Sequence, residues 1–158
     1  MTKSLAAGDI MTTRLVTFSP DMDVHEAIGL LLRHRISGGP VVDADRRLLG
    51  TFSEKGAMRV LVDVGSDVMP HSRVEHFLDS AERPITADTD LLTMAHIFHE
   101  TTFRRLPVID DEGRVIGQVS RRDVLRAVND SYETAPDRQT GLLYLSSLLE
   151  REESPIPR

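Results

Sequence analysis

Apolar residues recur along this chain with two spacings, one typical of helices and one typical of short strands. In the stretches VHEAIGLLLRHR (24–35) and LLTMAHIFHET (91–101) they return at every third or fourth position, which predicts two amphipathic helices. Asp23 and Asp90 stand directly before these stretches. A short acidic side chain accepts from the unpaired N–H groups of a first helical turn, so both residues are expected to be N-caps.

Short apolar runs bounded by turn residues predict the strands. Six such runs occur: RLVTF (14–18), RPIT (83–86), PVVD (40–43), PVID (107–110), LLGTF (48–52) and VIGQV (115–119). The segment DADRR joins PVVD to LLGTF, and DDEG joins PVID to VIGQV; both are rich in turn formers. A further helix begins at Ser53 and at Ser120. The order β-α-β-β-α therefore occurs twice, which predicts a mixed α/β (α+β) fold.

The two halves of this pattern are related by an internal repeat. A shift of 67 residues aligns GGPVVDADRRLLGTFSEKGAMRVLVD (38–63) with RLPVIDDEGRVIGQVSRRDVLRAVND (105–130) without a gap. In the same register Asp23 falls on Asp90. Self-similarity at one offset over this length indicates a duplication.

The duplication divides the chain into four parts. We predict a first repeat over 8–63, a linker over 64–80, a second repeat over 81–130 and a tail over 131–158 that contains a short amphipathic helix, GLLYLSSLLERE. A unit of about 60 residues buries little surface alone, whereas two units packed by a pseudo-twofold axis share a larger buried surface.

Composition limits the classes of function. The chain has 158 residues, of which 40% are hydrophobic and 28% charged, as is typical of a soluble globular protein. Its net charge of -6 argues against a general affinity for nucleic acid or anionic membranes. It has no cysteine, and no apolar run approaches the ~20 residues that span a bilayer. We therefore expect a cytoplasmic protein with neither nucleic acid nor membrane as a partner.

Motifs of catalysis are missing from the sequence. It contains no P-loop, no G-x-G-x-x-G and no Ser-His-Asp order. His96 and His99 stand one helical turn apart, but one buried and one exposed histidine is a simpler interpretation than a metal site. We therefore expect no enzymatic activity, no catalytic residue, no resident cofactor and no metal.

The helix start GQVSRRDVL in the second repeat carries charges that favour an anionic ligand. Arg121 and Arg122 lie in the first turn, where the helix dipole disfavours cations unless an anion is bound. Asp123 is a carboxylate that can accept from both hydroxyls of a ribose. Ser120 and Asp123 alone also fit a capping box, in which each residue bonds the backbone of the other. The neighbouring arginines favour the ligand-binding interpretation.

A second basic pair, Arg104 and Arg105, precedes the strand PVID. In a β-β-α unit the start of one strand lies beside the end of its antiparallel neighbour. Arg105 and Ser120 are therefore expected to converge on one cavity mouth. An arginine fork binds phosphate in a bidentate way that lysine does not reproduce.

The equivalent stretch of the first repeat, GTFSEKGAM, has different chemistry. It keeps Ser53 but places Glu54 and Gly56 where the second repeat has Arg121 and Asp123. A glycine cannot accept from a ribose, and Glu54 repels phosphate. We therefore predict one competent site, in the second repeat, and one degenerate or altered site in the first.

The motifs DIMT, HRISGGPVVD and FRRLPVIDDEGRVIGQVSRRDVL, with their tandem spacing, resemble the CBS domain in its paired form, the Bateman module. The resemblance covers residues 8–130. It implies two repeats related by pseudo-twofold symmetry and further assembly into a homodimer of modules. It also implies a cleft between the repeats that takes an adenosyl ligand: AMP, ADP, ATP or S-adenosylmethionine.

The resemblance assigns roles to individual residues as well. It implies that Asp123 holds the ribose hydroxyls, and that Ser120 and the basic residues beside it meet phosphate. The further residues implied for the adenosyl ligand are Arg121, Arg122, Arg104, Arg105, Ile36, Ser37, Gly38 and Val16. The arginines face phosphate in this assignment, and the stretch 36–38 frames the adenine through its backbone.

These observations predict a non-enzymatic regulatory module that binds AMP, ADP or ATP and signals to a separate effector protein. Two alternatives stay open, a sensor of S-adenosylmethionine and a ligand-free structural or interaction protein. The arginine-rich mouth favours ligands that carry phosphate.

Overall fold

Two units of the same element order make up the fold. The computed structural model describes residues 4–64, 71–79 and 83–134. A short helix, α1 (Ala7–Ile10), precedes the first unit, and a 3-10 helix (Val74–Phe77) precedes the second. The first unit contains α2 (Val24–His34), β1 (Gly38–Val42), β2 (Leu48–Ser53) and α3 (Glu54–Val64). The second contains β3 (Ile85–Thr86), α4 (Leu91–Glu100), β4 (Arg105–Ile109), β5 (Val115–Ser120) and α5 (Arg121–Glu133). The predicted mixture of helices and small sheets is confirmed.

Each unit is built around an antiparallel hairpin whose register is the same in both copies. Gly38 pairs with Ser53 in the β1–β2 hairpin, and Arg105 pairs with Ser120 in the β4–β5 hairpin. The first residue of each leading strand therefore lies beside the start of the following helix, as the sequence predicts.

The strands predicted at 14–18 and 83–86 are wrong in length, because both are much shorter in the structure. The first is reduced to one parallel bridge at Phe18, and the second to β3, which pairs in parallel with β4. Phe18 N–H donates to Pro40 O at 3.0 Å, and Val42 N–H donates to Phe18 O at 3.0 Å. The next bond of this ladder requires an N–H at residue 40. Proline has none, so the pairing stops there.

The two predicted N-caps are confirmed. Asp23 accepts from His25 N–H at 2.8 Å, and Asp90 accepts from Thr93 N–H at 2.9 Å. These backbone hydrogen bonds stabilise the ionised carboxyl groups and hold the pKa of both aspartates below its usual value.

Replacing Asp90 with alanine is expected to lower the free energy of unfolding by about 1 kcal/mol at neutral pH, because α4 loses its N-cap. Folding lowers the pKa of Asp90, so this stabilisation is present above the usual aspartate pKa and is lost as the pH falls through the folded-state value. Urea unfolding of wild type and variant at pH 7 and at a pH below the folded-state pKa of Asp90 measures the effect. A difference that stays constant between the two conditions would contradict the assignment.

Each unit has its own hydrophobic core, and the segment before each unit packs into the core of the other. Ala7 of α1 is fully buried in the core of the second unit, and its N–H donates to Thr89 O at 2.8 Å. Val74 and Phe77 are buried in the core of the first unit, beside Phe52. The repeats therefore exchange their leading segments, and residues 71–79 of the predicted linker form part of the packed first unit.

The tips of the two hairpins meet at the pseudo-twofold axis. Leu48 N–H donates to Gly113 O at 3.1 Å, and Val115 N–H donates to Arg46 O at 2.9 Å. Arg46, with φ of 65°, and Gly113, with φ of 79°, hold equivalent left-handed positions in the two turns. The 67-residue shift places Leu48 on Val115 and Arg46 on Gly113, so the two bonds are equivalent. The duplication seen in the sequence is thus a duplication of structure.

Some predictions fall on other parts of the chain. The amphipathic helix predicted at 141–152 lies outside the described residues, as do residues 65–70 and 80 of the predicted linker and residues 81–82 of the predicted second repeat. Among the helices that the structure does describe, none has the length and apolar character needed to cross a membrane.

Candidate ligand site between the repeats

An arginine at the start of β4 joins the two repeats. Arg105 donates from Nη1 to the backbone oxygen of Gly38 and from Nη2 to Ser37 Oγ, both at the start of β1. The arginine side chain is half-buried. One guanidinium group therefore links the beginnings of β1 and β4 across the pseudo-twofold axis.

A cavity of about 470 Å³ opens beside this link. Its volume lies within the ~300–1,000 Å³ typical of small-molecule sites. Both repeats and the segment after the 3-10 helix contribute to its walls. The lining residues are Ser37, Gly38, Thr51, Ser53, Glu54, Lys55, Arg59, Leu78, Asp79, Thr102, Phe103, Arg104 and Arg105.

Cationic side chains outnumber acidic ones in this lining. The cationic residues are Lys55, Arg59, Arg104 and Arg105, and the acidic residues are Glu54 and Asp79. Arg59 is held by a hydrogen bond from Nη2 to His76 O at 3.3 Å, and its guanidinium lies 5.7 Å from the centre of the Phe77 ring. The balance of charge favours an anionic ligand.

The start of α5 forms the capping box that the sequence allows. Ser120 Oγ accepts from Asp123 N–H at 3.2 Å, and Asp123 Oδ2 accepts from Ser120 N–H at 2.8 Å and from Ser120 Oγ at 2.7 Å. Arg126 Nη1 lies 3.7 Å from Asp123 Oδ1, and the Asp123 side chain is 17% exposed. The carboxylate is therefore engaged within its own helix, and the hydroxyls of a ligand must join or replace these contacts.

The start of α3 uses a different carboxylate. Ser53 Oγ accepts from Gly56 N–H at 3.2 Å. This bond is equivalent to the bond from Asp123 N–H to Ser120 Oγ in the second repeat. Gly56 has no side chain to reach back to the serine. Ser53 Oγ instead donates to Asp79 Oδ2, which comes from the segment after the 3-10 helix. A carboxylate thus faces the capping serine in both repeats, but from different parts of the chain.

The cavity brings together four of the predicted site residues and leaves six outside. Those that line it are Ser37, Gly38, Arg104 and Arg105; those outside the lining are Ser120, Arg121, Arg122, Asp123, Ile36 and Val16. Ile36 and Val16 are half-buried and pack against the first core. Arg121 and Arg122 are exposed in the first turn of α5. The cavity therefore lies on the first-repeat side, where the sequence predicts the altered site.

Asp79 is one of several cavity residues that sequence reasoning misses. The stretch around it has the composition of a linker, so composition gives no signal. The 67-residue shift does give one, because it places Thr12 on Asp79. In the structure the bridge of Thr12 to Gln118 is the equivalent of the bridge of Thr51 to Asp79. Extending the repeat alignment upstream to residue 12 is the step that finds this carboxylate.

The histidines of α4 differ from the expectation of one buried and one exposed side chain. His96 and His99 are both exposed, because the apolar face of the helix lies on its other positions. In the part of the chain that the structure describes, no group of three or more histidine, aspartate or glutamate side chains is arranged to hold a metal ion.

Part of this chain is similar in sequence to known proteins. Inosine-5'-monophosphate dehydrogenase of Streptococcus pyogenes is 33% identical over 112 residues, which cover 70% of this chain and 22% of the dehydrogenase. The chain thus spans only about a fifth of the length of that relative.

Two solved structures resemble the fold closely. CBSX2 from Arabidopsis thaliana has a TM-score of 0.72 and 28% identity, over 84% of this chain and 100% of that one. CBSX2 has also been solved in complex with AMP. The cytosolic domain of the Mg²⁺ channel MgtE, in complex with ATP, has a TM-score of 0.65 and 31% identity, over 77% of this chain and 48% of that one.

The family model of the CBS domain matches this chain twice, at residues 7–63 and 74–130. Each match covers one repeat, and both include the short helical segment that precedes it. The chain therefore belongs to the CBS domain family and carries two CBS domains as a tandem pair.

Proposed function

We propose that this CBS pair is a regulatory module that binds an adenine nucleotide, AMP, ADP or ATP, between its repeats. The observation that carries the proposal is the cavity beside the Arg105 link, because it combines the volume of a small-molecule site with four cationic side chains. AMP-bound CBSX2 and ATP-bound MgtE, at 28% and 31% identity, support an adenine nucleotide as the ligand.

The cavity offers suitable partners for the parts of a nucleotide. Arg104 and Lys55 are exposed cationic side chains of its lining, available to phosphate. Lys55 lies in the first turn of α3, whose helix dipole adds a partial positive charge. Leu78 and Phe103 provide apolar surface for the base.

The charge balance also separates this proposal from its alternatives. S-adenosylmethionine carries a cationic sulfonium, which is disfavoured by a lining rich in arginine and lysine. A ligand-free structural role accounts for Arg105 and Arg59, which contact the protein itself, but it does not explain the exposed cationic side chains of Arg104 and Lys55 in the same lining. An anionic adenosyl ligand accounts for both the charge and the cavity.

A second contact surface lies at the start of α5. Ser120, Arg121, Arg122 and Asp123 are related to the start of α3 by the pseudo-twofold axis. This surface keeps both the carboxylate and the arginines that the family resemblance assigns to a ligand. We place a second nucleotide-binding face here.

Binding is expected to change how the repeats are joined. Arg105 donates to Ser37 and Gly38 in the other repeat, and a phosphate competes for the same guanidinium. A change in this link alters the relative orientation of the repeats, which an effector protein can recognise.

Exposed apolar residues on the outer faces of α3 and α5 support self-association. Met58 is 58% exposed, Val62 80% and Leu125 69%. Large apolar side chains that are exposed on a helix face favour contact with another protein surface. We propose that the homodimer implied by the family resemblance forms through these two helices.

A thermal-shift panel with AMP, ADP, ATP, GTP, adenosine and S-adenosylmethionine, with and without Mg²⁺, tests the proposed function. At a hundredfold excess over Kd a bound nucleotide stabilises the fold by about 2.7 kcal/mol, a rise in Tm of roughly 5–10 °C. We expect this shift with at least one of AMP, ADP and ATP, and a much smaller one with GTP and adenosine. No shift with any compound would favour the ligand-free role, and a shift with S-adenosylmethionine alone would favour that sensor.

A further inference from the structure

The first repeat has no side chain where the second repeat carries Asp123. Gly56 occupies this position, and a Cβ added to it would lie 2.8 Å from the backbone oxygen of Phe77. That distance is shorter than a van der Waals contact, so the close approach of the 3-10 helix requires a glycine. The missing carboxylate therefore follows from packing and does not by itself indicate a lost site.

Asp79 supplies a carboxylate to the same serine from another direction. Ser53 Oγ donates to Asp79 Oδ2, just as Ser120 Oγ donates to Asp123 Oδ2. Asp79 and Ser53 both line the cavity. The pairing of serine and carboxylate is thus present at both helix starts, and in the first repeat it belongs to the cavity wall.

The backbone fixes the position of the Asp79 carboxylate. Asp79 N–H donates to Thr51 O at 2.8 Å, and the two residues form an antiparallel bridge. Thr51 is 2% exposed, so this anchor is an interior residue of β2. Ser53 uses one carboxylate oxygen, and a carboxylate accepts several hydrogen bonds on its two oxygens. The geometry leaves acceptor capacity for hydroxyl groups in the cavity.

We propose that Asp79 accepts hydrogen bonds from the ribose hydroxyls of a nucleotide in this cavity and selects ribonucleotides over ligands that lack those hydroxyls. This inference rests on the proposed function, since it requires a nucleotide in the cavity. A site that is built to bond a hydroxyl discriminates strongly against a ligand without one, because its own polar group then stays unpaired. The segment that connects the repeats is then part of the binding site.

Isothermal titration calorimetry with AMP and with 2′,3′-dideoxy-AMP tests this role. The wild-type protein is expected to bind AMP about tenfold more tightly, as one hydrogen bond to a charged group provides. Asp79→Ala is expected to lower the affinity for AMP to that for dideoxy-AMP and to leave the affinity for dideoxy-AMP unchanged. The same titrations in an Asp123→Ala background remove the contribution of the α5 face.

The controls separate this role from a purely structural one. Asp111→Ala removes an exposed aspartate outside the cavity lining and should keep the wild-type ratio of the two affinities. Asp79→Asn keeps the size of the side chain and serves if the alanine variant does not fold. An unchanged ratio in a folded Asp79 variant would overturn the inference while the proposed function stands. A wild-type protein that binds none of AMP, ADP and ATP would overturn the proposed function, and this inference with it.

Discussion

Replacing Arg104 and Arg105 with alanine will lower the affinity for AMP and ATP by roughly a hundredfold, while the affinity for adenosine changes little. Both arginines line the cavity, and they form part of its excess of positive charge. A hydrogen bond to a charged group contributes about 1.5–3 kcal/mol, so two lost phosphate contacts readily account for a factor of this size. Calorimetric titration of the double variant with the three ligands measures the effect.

The single variants Arg104→Ala and Arg105→Ala separate the loss of phosphate binding from the loss of stability. Arg105 also holds Ser37 and Gly38 across the interface, so its loss is expected to lower the free energy of unfolding as well. Arg104→Ala should weaken phosphate binding with little change in stability. Arg33→Ala, an exposed arginine of α2 outside the cavity lining, is the matched control and should bind like wild type. Equal losses for ATP, AMP and adenosine would show that the arginines do not contact phosphate.

Asp123→Ala is expected to weaken nucleotide binding at the α5 face by about ten- to a hundredfold, because the variant lacks the carboxylate that is proposed to accept from the ribose hydroxyls. It should also lower the free energy of unfolding by about 1 kcal/mol, since the capping box with Ser120 is lost. Urea unfolding and calorimetry on the same preparation separate the two effects.

Asp90→Ala is the matched control for this variant. It removes an aspartate from the start of α4 that caps its helix through Thr93, and it lies outside the cavity lining. Both variants should lose similar stability, but only Asp123→Ala should lose nucleotide affinity. If the two behave alike in both measurements, Asp123 is a helix cap and nothing more.

Features with a local cause were predictable from the sequence. The hairpins follow from apolar runs that flank turn formers, and the caps at Asp23 and Asp90 need only residues within one helical turn. The position of Arg105 beside Ser120 follows from antiparallel pairing alone. The strand predicted at 14–18 is shorter because Pro40, far along the chain, supplies no N–H to its ladder.

The side of the interface on which the cavity opens was not predictable in the same way. It depends on residues 71–79, which cross to pack on the first repeat, and nothing in their composition indicates this contact. The sequence shows Gly56 as a lost acceptor. The structure shows that Phe77 O leaves no room for a side chain there, and that Asp79 brings the carboxylate instead. Both contacts join residues that are far apart in the sequence, so only the folded structure shows them.

The joined hairpin tips have a consequence for any motion of the repeats. The bonds at Arg46 and Gly113 hold the far ends of the hairpins together, and the Arg105 link holds the near ends. A strand of five residues such as β1 separates the two attachments by roughly 15 Å. If a ligand breaks only the Arg105 link, the bonds at the hairpin tips remain, and the two repeats rotate relative to each other about these tips. Helices α3 and α5 begin at the ends of β2 and β5 that lie away from the tips, so the rotation displaces them farther than it displaces the tips.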